Sequence, residues 1–277
     1  MKKKVAAILA VVMIFTTGIN GISYANNNKE DYSITINEYS LLKELSNEAN
    51  DSLKKKGYSE SDIDKIRNYS EEYSEHIQEL KNFSESQLLE DGYTEEQVEG
   101  IYNFSGEEDE IMRLASSVTI TLPIDYVKKG TSGTTARFTA KFYWNGVPVI
   151  KTTDILAVSW NDWSLSSSSS YILYKKVGST AATTGTGTLV NPSGILSGGR
   201  GYKFPMTKVD NSYYADRGEF TYSLSSTVSN KTLSIYAAYG HSSISVQPSF
   251  SIPGYGSISF SYGTSTIKEQ WNERKPS

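Results

Sequence analysis

The chain has no cysteine and only two histidines in 277 residues. The first absence excludes disulfide staples, thiolate metal sites, a cysteine nucleophile and a lipid attached through cysteine. The second leaves little for histidine-based acid–base chemistry. No segment has the roughly 20 consecutive apolar residues of a helical membrane anchor. Also lacking are a Gly-x-Ser-x-Gly nucleophile elbow and a phosphate loop, since Gly198-Gly199-Arg200-Gly201 does not lead into a helical stretch. The acidic run Gly106 to Glu110 lacks the alternating oxygen ligands of a calcium loop. No cofactor and no metal is expected.

What is present begins with Lys2, Lys3 and Lys4, followed by the apolar stretch Val5 to Phe15 and then Ser23-Tyr24-Ala25. A basic start, a short apolar run and a small-x-small site make a secretory signal, expected to be cleaved after Ala25. The last residues, Asn272 to Ser277, carry no apolar tail, so no covalent wall anchor is expected. A cysteine-free exported chain suits a Gram-positive bacterium. The mature protein is expected to be extracellular and monomeric.

Charge divides the remainder in two. Residues 26–115 carry 23 acidic and 9 basic side chains, a net −14, whereas residues 116–277 carry 8 and 15, a net +7. In the acidic half Leu41, Leu42, Leu45, Ala49 and Leu53 recur at helical spacing. A repeat follows with an offset of 35: Leu53, Gly57, Tyr58, Ser59, Glu60, Ile63 and Ile66 match Leu88, Gly92, Tyr93, Thr94, Glu95, Val98 and Ile101. Each glycine can close one helix, and Ser59 and Thr94 can cap the next. A small helical bundle is expected, with its acids as solvated faces or as a mask over the basic half.

From Ser117 the period becomes two. Val118, Ile120 and Leu122 alternate with threonines, and Phe138, Ala140, Phe142 and Trp144 with polar residues. Asn145-Gly146 predicts a hairpin into Val147 to Ile150. Similar alternation recurs at Phe220 to Leu224, Leu233 to Ala237, Ile244 and Val246, and Ile258 to Tyr262. Ile155 to Trp160 and Tyr171 to Val177 complete eight or nine strands. The fold expected is therefore α+β in two segregated regions: an N-terminal helical bundle over 26–115 and an antiparallel β-sandwich over 116–277. Long loops are expected at Gly178 to Gly187 and Asn191 to Gly201.

Few groups carry recognisable chemistry. His76 suits a surface or interface, and His241 follows Tyr239-Gly240 at a strand end. Ser242 or Ser243 could join His241 and either Asp154 or Asp216, but serines are too abundant for proximity to inform. Asp216 and Glu219 read as a charged turn before the strand at Phe220. The aromatic residues point to binding instead. Trp163 lies past a strand beside a serine run and is expected at the surface, whereas Trp144 and Trp160 fall in phase with the core. With Asp162, Tyr171, Tyr213 and Tyr214 it forms the candidate ligand site.

The lysine-led signal, the Gly-Tyr-Ser/Thr-Glu repeat, Trp144-Asn145-Gly146-x-Pro148 and Tyr239-Gly240-His241 resemble those of secreted proteins of uncharacterised function from Gram-positive bacteria. The resemblance spans most of the chain, implies no activity and transfers no functional residue. The reading is a secreted, non-enzymatic protein that binds a cell-wall glycan, a polyanion or a protein, with no role toward nucleic acid. A membrane-active toxin or bacteriocin-like protein is the alternative, and a secreted hydrolase a weaker one.

Overall fold

The computed structural model describes residues 33–55, 58–190, 198–209, 211–241, 247–251, 257–261 and 265–274. The expected signal, Gly57, Ile244, Val246, Tyr262 and most of the loop at 191–201 lie outside them.

The chain opens with a strand, β1 (Ser33–Asn37), and then runs through seven short helices. These are α1 (Glu38–Ser46), α2 (Asn50–Lys55), α3 (Glu60–Arg67), α4 (Tyr69–Leu80), α5 (Glu85–Glu90), α6 (Glu95–Asn103) and α7 (Glu108–Leu114). The repeat consists of the pairs α2–α3 and α5–α6. Leu53 and Leu88, Tyr58 and Tyr93, Ile63 and Val98, and Ile66 and Ile101 are all buried. Reciprocal capping boxes start α3 (Ser59 with Asp62), α5 (Ser84 with Gln87) and α6 (Thr94 with Gln97). Each satisfies two otherwise unpaired backbone donors, which lets helices of six to nine residues persist when packed.

The strands that follow are β2 (Ser117–Thr121), β3 (Ile124–Gly130), β4 (Gly133–Asn145), β5 (Thr153–Trp160), β6 (Ser164–Lys176), β7 (Ala182–Gly185) and β8 (Thr188–Val190). They continue with β9 (Gly199–Pro205), β10 (Thr207–Lys208), β11 (Tyr213–Ser226), β12 (Leu233–His241), β13 (Gln247–Ser251), β14 (Ser257–Ser261) and β15 (Ser265–Arg274). One sheet of eight strands is ordered β1-β2-β4-β11-β6-β7, with β3 also on β4 and β10 on β11. A second sheet is ordered β15-β12-β5-β9-β8. Strands β13 and β14 form a separate hairpin. The two larger sheets face one another through aromatic rings: Phe142 stacks on Phe204 at 4.8 Å, and Trp160 meets Phe138 at 6.0 Å and Tyr222 at 5.7 Å. Each such fully buried ring contributes about 1.5–3 kcal/mol.

This arrangement corrects the expected division into a helical bundle and a separate sandwich. Strand β1 belongs to the acidic half, yet it pairs along its whole length with β2 at the edge of the large sheet, Ser33 opposite Thr121 and Asn37 opposite Ser117. The helices are an excursion between two neighbouring strands. Their apolar stripes run into the same core as the sheets, from Leu42 and Ile77 through Val147 to Tyr239. The fold is mostly β, with the helices interleaved.

Two local expectations also change. Asn145-Gly146 makes a turn, but residues 147–150 are not a strand. Their amide groups are taken by side chains of the helical half, as Val147 N donates to Tyr93 Oη and Val149 N and Ile150 N donate to Glu38. The chain therefore crosses from one sheet to the other. The serine-rich stretch 164–170, ahead of the strand expected from Tyr171, is the first half of β6 and pairs with β11.

Candidate functional site

A dense polar cluster lies where the helices, β5 and β12 meet. Asn37 caps α1 by accepting from Ser40 N at 2.9 Å, which fixes Glu38 as the first helical residue. From there Glu38 turns inward. Its Oε1 accepts from Ile150 N at 2.9 Å and lies 3.0 Å from His241 Nε2. Its Oε2 accepts from Val149 N at 2.9 Å, Ser116 Oγ at 2.7 Å and the Tyr73 hydroxyl. On the other side His241 Nδ1 is 3.0 Å from both carboxylate oxygens of Asp154, which also accepts from the Tyr239 hydroxyl. The Trp144 ring lies 5.0 Å from the imidazole, centre to centre.

Glu38, Asp154 and His241 are each at most 1% exposed. Burial alone would raise the Glu38 pKa, but the hydrogen bond and charge of His241, with the Tyr73 and Ile150 donors, outweigh it and hold the group at about 2. Burial likewise disfavours the imidazolium, yet Asp154 and Glu38 on either side carry His241 up to about 10. Both ring nitrogens are then donors. Tyr73 and Tyr239, raised well above the usual phenol range by burial and by the adjacent carboxylates, donate as neutral hydroxyls.

Carboxylate, imidazole and carboxylate in line have the elements of acid–base catalysis, but the geometry opposes it here. A general base must reach a substrate proton, and every member is sealed from solvent. Ser116, the serine of the cluster, donates to Glu38 and not to His241. Among the described residues no group of three or more His, Asp or Glu is arranged to hold a metal ion. The cluster is an interlock between segments far apart in the chain, satisfied by donors on every side.

A second junction ties the repeat to the strands. Asp91 accepts from Gly178 N at 2.7 Å, and its carbonyl accepts from Gly146 N at 3.1 Å. Burial raises the Asp91 carboxyl to about 6. Gly92 and Gly146 both have positive φ, +90° and +82°, which brings the two turns into backbone contact. The half-buried His76 ring bonds to Val147 O at 3.2 Å, and burial lowers its pKa to about 4.

The five residues expected to bind a ligand do not converge. Trp163, expected at the surface, is 1% exposed: it closes the turn between β5 and β6, its indole N–H bonded to Thr232 O at 3.2 Å. Its own carbonyl accepts from Trp160 Nε1 at 3.0 Å, so the two indoles hold that turn together. Tyr214 is also buried, its hydroxyl directed at Asp91, and Tyr213 is half-buried against the core. Asp162 and Tyr171 are exposed. Asp216 is buried beside Lys175 within β11, while Glu219 is exposed, so this acid pair is not a turn but two positions of one strand.

The sequence singles out His241 and Asp154 but not Glu38, which falls among acids expected as solvated faces or as a mask over the basic half. The available signal was local: Asn37-Glu38 stands at the start of an apolar helical stripe, and a first-turn acid is ordinary there.

No family model matches the chain, and no curated protein matches it. Solved structures give remote similarities. One is AvmM, which catalyses macrocyclization in alchivemycin A biosynthesis, at 14% identity over 56% of this chain and 88% of that one, TM-score 0.23. Another is Clostridium perfringens delta-toxin, at 7% identity over 58% and 84%, TM-score 0.22. The membrane-inserted form of the Clostridium perfringens NetB toxin covers 58% and 83% at 9% identity, TM-score 0.18. Similarities at these scores assign neither a fold family nor an activity.

Proposed function

We propose that this is a secreted, membrane-active protein whose β13–β14 hairpin enters a lipid bilayer. The observation that carries the reading is the register of that hairpin. Phe250 pairs with Ile258 and Pro248 with Phe260, which puts four apolar positions on one face. Gln247 pairs with Ser261, Ser249 with Ser259 and Ser251 with Ser257, which puts only small or neutral polar positions on the other. In sequence the alternation runs unbroken from Ser243 to Ile252, ten residues, and resumes from Ser257 to Tyr262. Residues 242–267 contain no charged side chain, in a chain that is 21% charged.

A transmembrane β-strand needs about 9–11 residues, apolar toward lipid and polar toward the lumen. A strand of a soluble sheet needs only one dry face and tolerates charge on the wet one. The absence of charge is what favours the bilayer. Among the described residues no helix is long and apolar enough to cross a membrane. In water the hairpin does not stand alone: β14 lies against β5 and β12, whose Ala157 and Ala238 are buried on the side away from the main core. One hairpin leaves open edges that lipid cannot satisfy, so insertion requires several copies closing into a barrel. The amino-terminal export signal, Lys2 to Ala25, fits delivery of such a protein outside the cell.

The test is release of a trapped dye from vesicles by the mature chain. Wild type is expected to release it and Phe250→Asp, which places a charge on the lipid-facing side, to release none. No release by wild type from either zwitterionic or anionic vesicles would remove the proposal.

A further inference from the structure

We infer that the outer face of the eight-stranded sheet binds a neutral polysaccharide chain, with Tyr143 and Tyr171 as its stacking platforms. The inference stands apart from the hairpin and uses residues far from it. Tyr143 on β4 is paired with Arg217 on β11, and Glu219 on β11 lies between Lys141 on one side and Tyr171 of β6 on the other. The tyrosines therefore flank β11, two strand spacings or about 10 Å apart across the sheet. They are 41% and 45% exposed.

Their surroundings decide what they suit. The charged Lys141, Arg217 and Glu219 stand between the two rings, and further along the same strands the outward positions are hydroxyls, as in the Thr139–Thr221 pair at 3.2 Å and the Ser166–Ser225 pair at 3.1 Å. A protein-binding patch would surround its aromatic rings with further apolar residues. Isolated phenol rings on a hydroxyl-rich plane instead match a sugar, which offers C–H faces for stacking and hydroxyl edges for hydrogen bonding. Three cations of this face are matched by acids, and a fourth, Lys128, lies over the Tyr126 ring at 4.8 Å. Lys141 is 2.9 Å from Glu219, Arg137 is 3.2 Å from Asp125, and Arg217 is 2.6 Å from Asp216. Donors and acceptors thus alternate without a strong net field, which suits an uncharged ligand better than a polyanion.

The same strands lead to a polar cleft of about 410 Å³ lined by Thr135, Asp162, Ser164, Ser225 and Lys231. Glu219 and Ser225 are six residues apart on β11, so the cleft lies about 20 Å from Tyr171. Asp162 and Tyr171, both singled out in the sequence, mark two ends of one track. Its length calls for several linked sugars, not one.

Titration calorimetry with β-1,4-linked hexasaccharides of glucose, N-acetylglucosamine and mannose, alongside polygalacturonate and anionic vesicles, tests this. At least one neutral hexamer is expected to bind, with a disaccharide more than ten-fold weaker. Affinity should be unchanged in about 1 M salt, where the Debye length is about 3 Å. Tyr143→Ala and Tyr171→Ala are each expected to lose about ten-fold, and Tyr143→Trp and Tyr171→Trp to retain binding. Both rings lie at the surface, so circular dichroism of the variants should match wild type. The inference is overturned if no neutral hexamer binds or if the alanine variants bind as wild type does. Salt-sensitive binding to polygalacturonate or vesicles alone would overturn it as well.

Discussion

Glu38 and His241 lie 203 residues apart in sequence, yet the carboxylate Oε1 and the imidazole Nε2 are 3.0 Å apart and sealed from water. With Asp154 on the other ring nitrogen, this pair joins the first helix, α1, to β5 and β12 of the second sheet. It makes the acidic helices part of the β structure, not an appendage to it.

Removing one partner of a buried charge pair leaves the other uncompensated, at a cost of about 3–5 kcal/mol. Glu38→Ala is therefore expected to lose stability on that scale in urea unfolding, because His241, two amide groups and two hydroxyls all lose an acceptor. His241→Ala should cost a similar amount, and the double variant less than the two losses added. Additive losses would show that the two residues are not coupled.

The same pair sets a pH dependence with a definite sign. Glu38 is lowered from 4.5 to about 2, so its contribution is present above pH 4.5 and lost as pH falls through 2. His241 is raised from 6.5 to about 10, so its contribution is complete below pH 6.5 and lost as pH rises through 10. Both are complete between about pH 4.5 and 6.5. Within that window Asp91, raised to about 6, opposes stability as pH rises, and His76, lowered to about 4, favours it. Above pH 6.5 the decline belongs to His241. Unfolding measured from pH 6.5 to 10 should show wild type losing stability and His241→Gln losing much less. Equal slopes would contradict the charged imidazole.

The contact between the helical repeat and the strand turn is tested by Gly146→Ala. A Cβ at this position would come within 2.6 Å of the Tyr93 ring, and φ is +82°. The backbone conformation alone costs a non-glycine residue about 1–3 kcal/mol. The variant is expected to lose at least that much in thermal unfolding. Gly106→Ala, at a positive φ with open space around it, should lose less.

These junctions also show what the sequence made legible. The 35-residue repeat was readable because its parts are local: Leu53 and Leu88, Ile66 and Ile101, and the caps at Ser59, Ser84 and Thr94 each act within one or two turns. Strand alternation at Val118 to Leu122 and Phe138 to Trp144 was readable for the same reason. Glu38 was not, because its partners come from β5, β12 and the 147–150 crossover, and an acid at a helix start looks the same whether wet or buried. Asn145-Gly146 announced a turn but could not reveal that Tyr93 and Glu38 would claim the amide groups beyond it. Trp163 read as exposed because its partner Trp160 and the Thr232 carbonyl meet it only once the turn is folded. Of the candidate binding residues, Tyr171 and Asp162 are exposed, Tyr171 on β6 and Asp162 in the turn before that strand, and only the folded chain shows how far apart they stand.

The membrane proposal is tested most directly by the two-residue period of the hairpin in lipid. The chain has no cysteine, so single cysteines placed at 247–251 and 257–261 can each carry one environment-sensitive fluorophore. On binding to vesicles, labels at Pro248, Phe250, Ile258 and Phe260 should shift to the blue and be quenched by a lipid-borne quencher. Labels at Gln247, Ser249, Ser251, Ser257, Ser259 and Ser261 should not. Uniform emission along both strands, or no shift at any position, would contradict insertion of the hairpin.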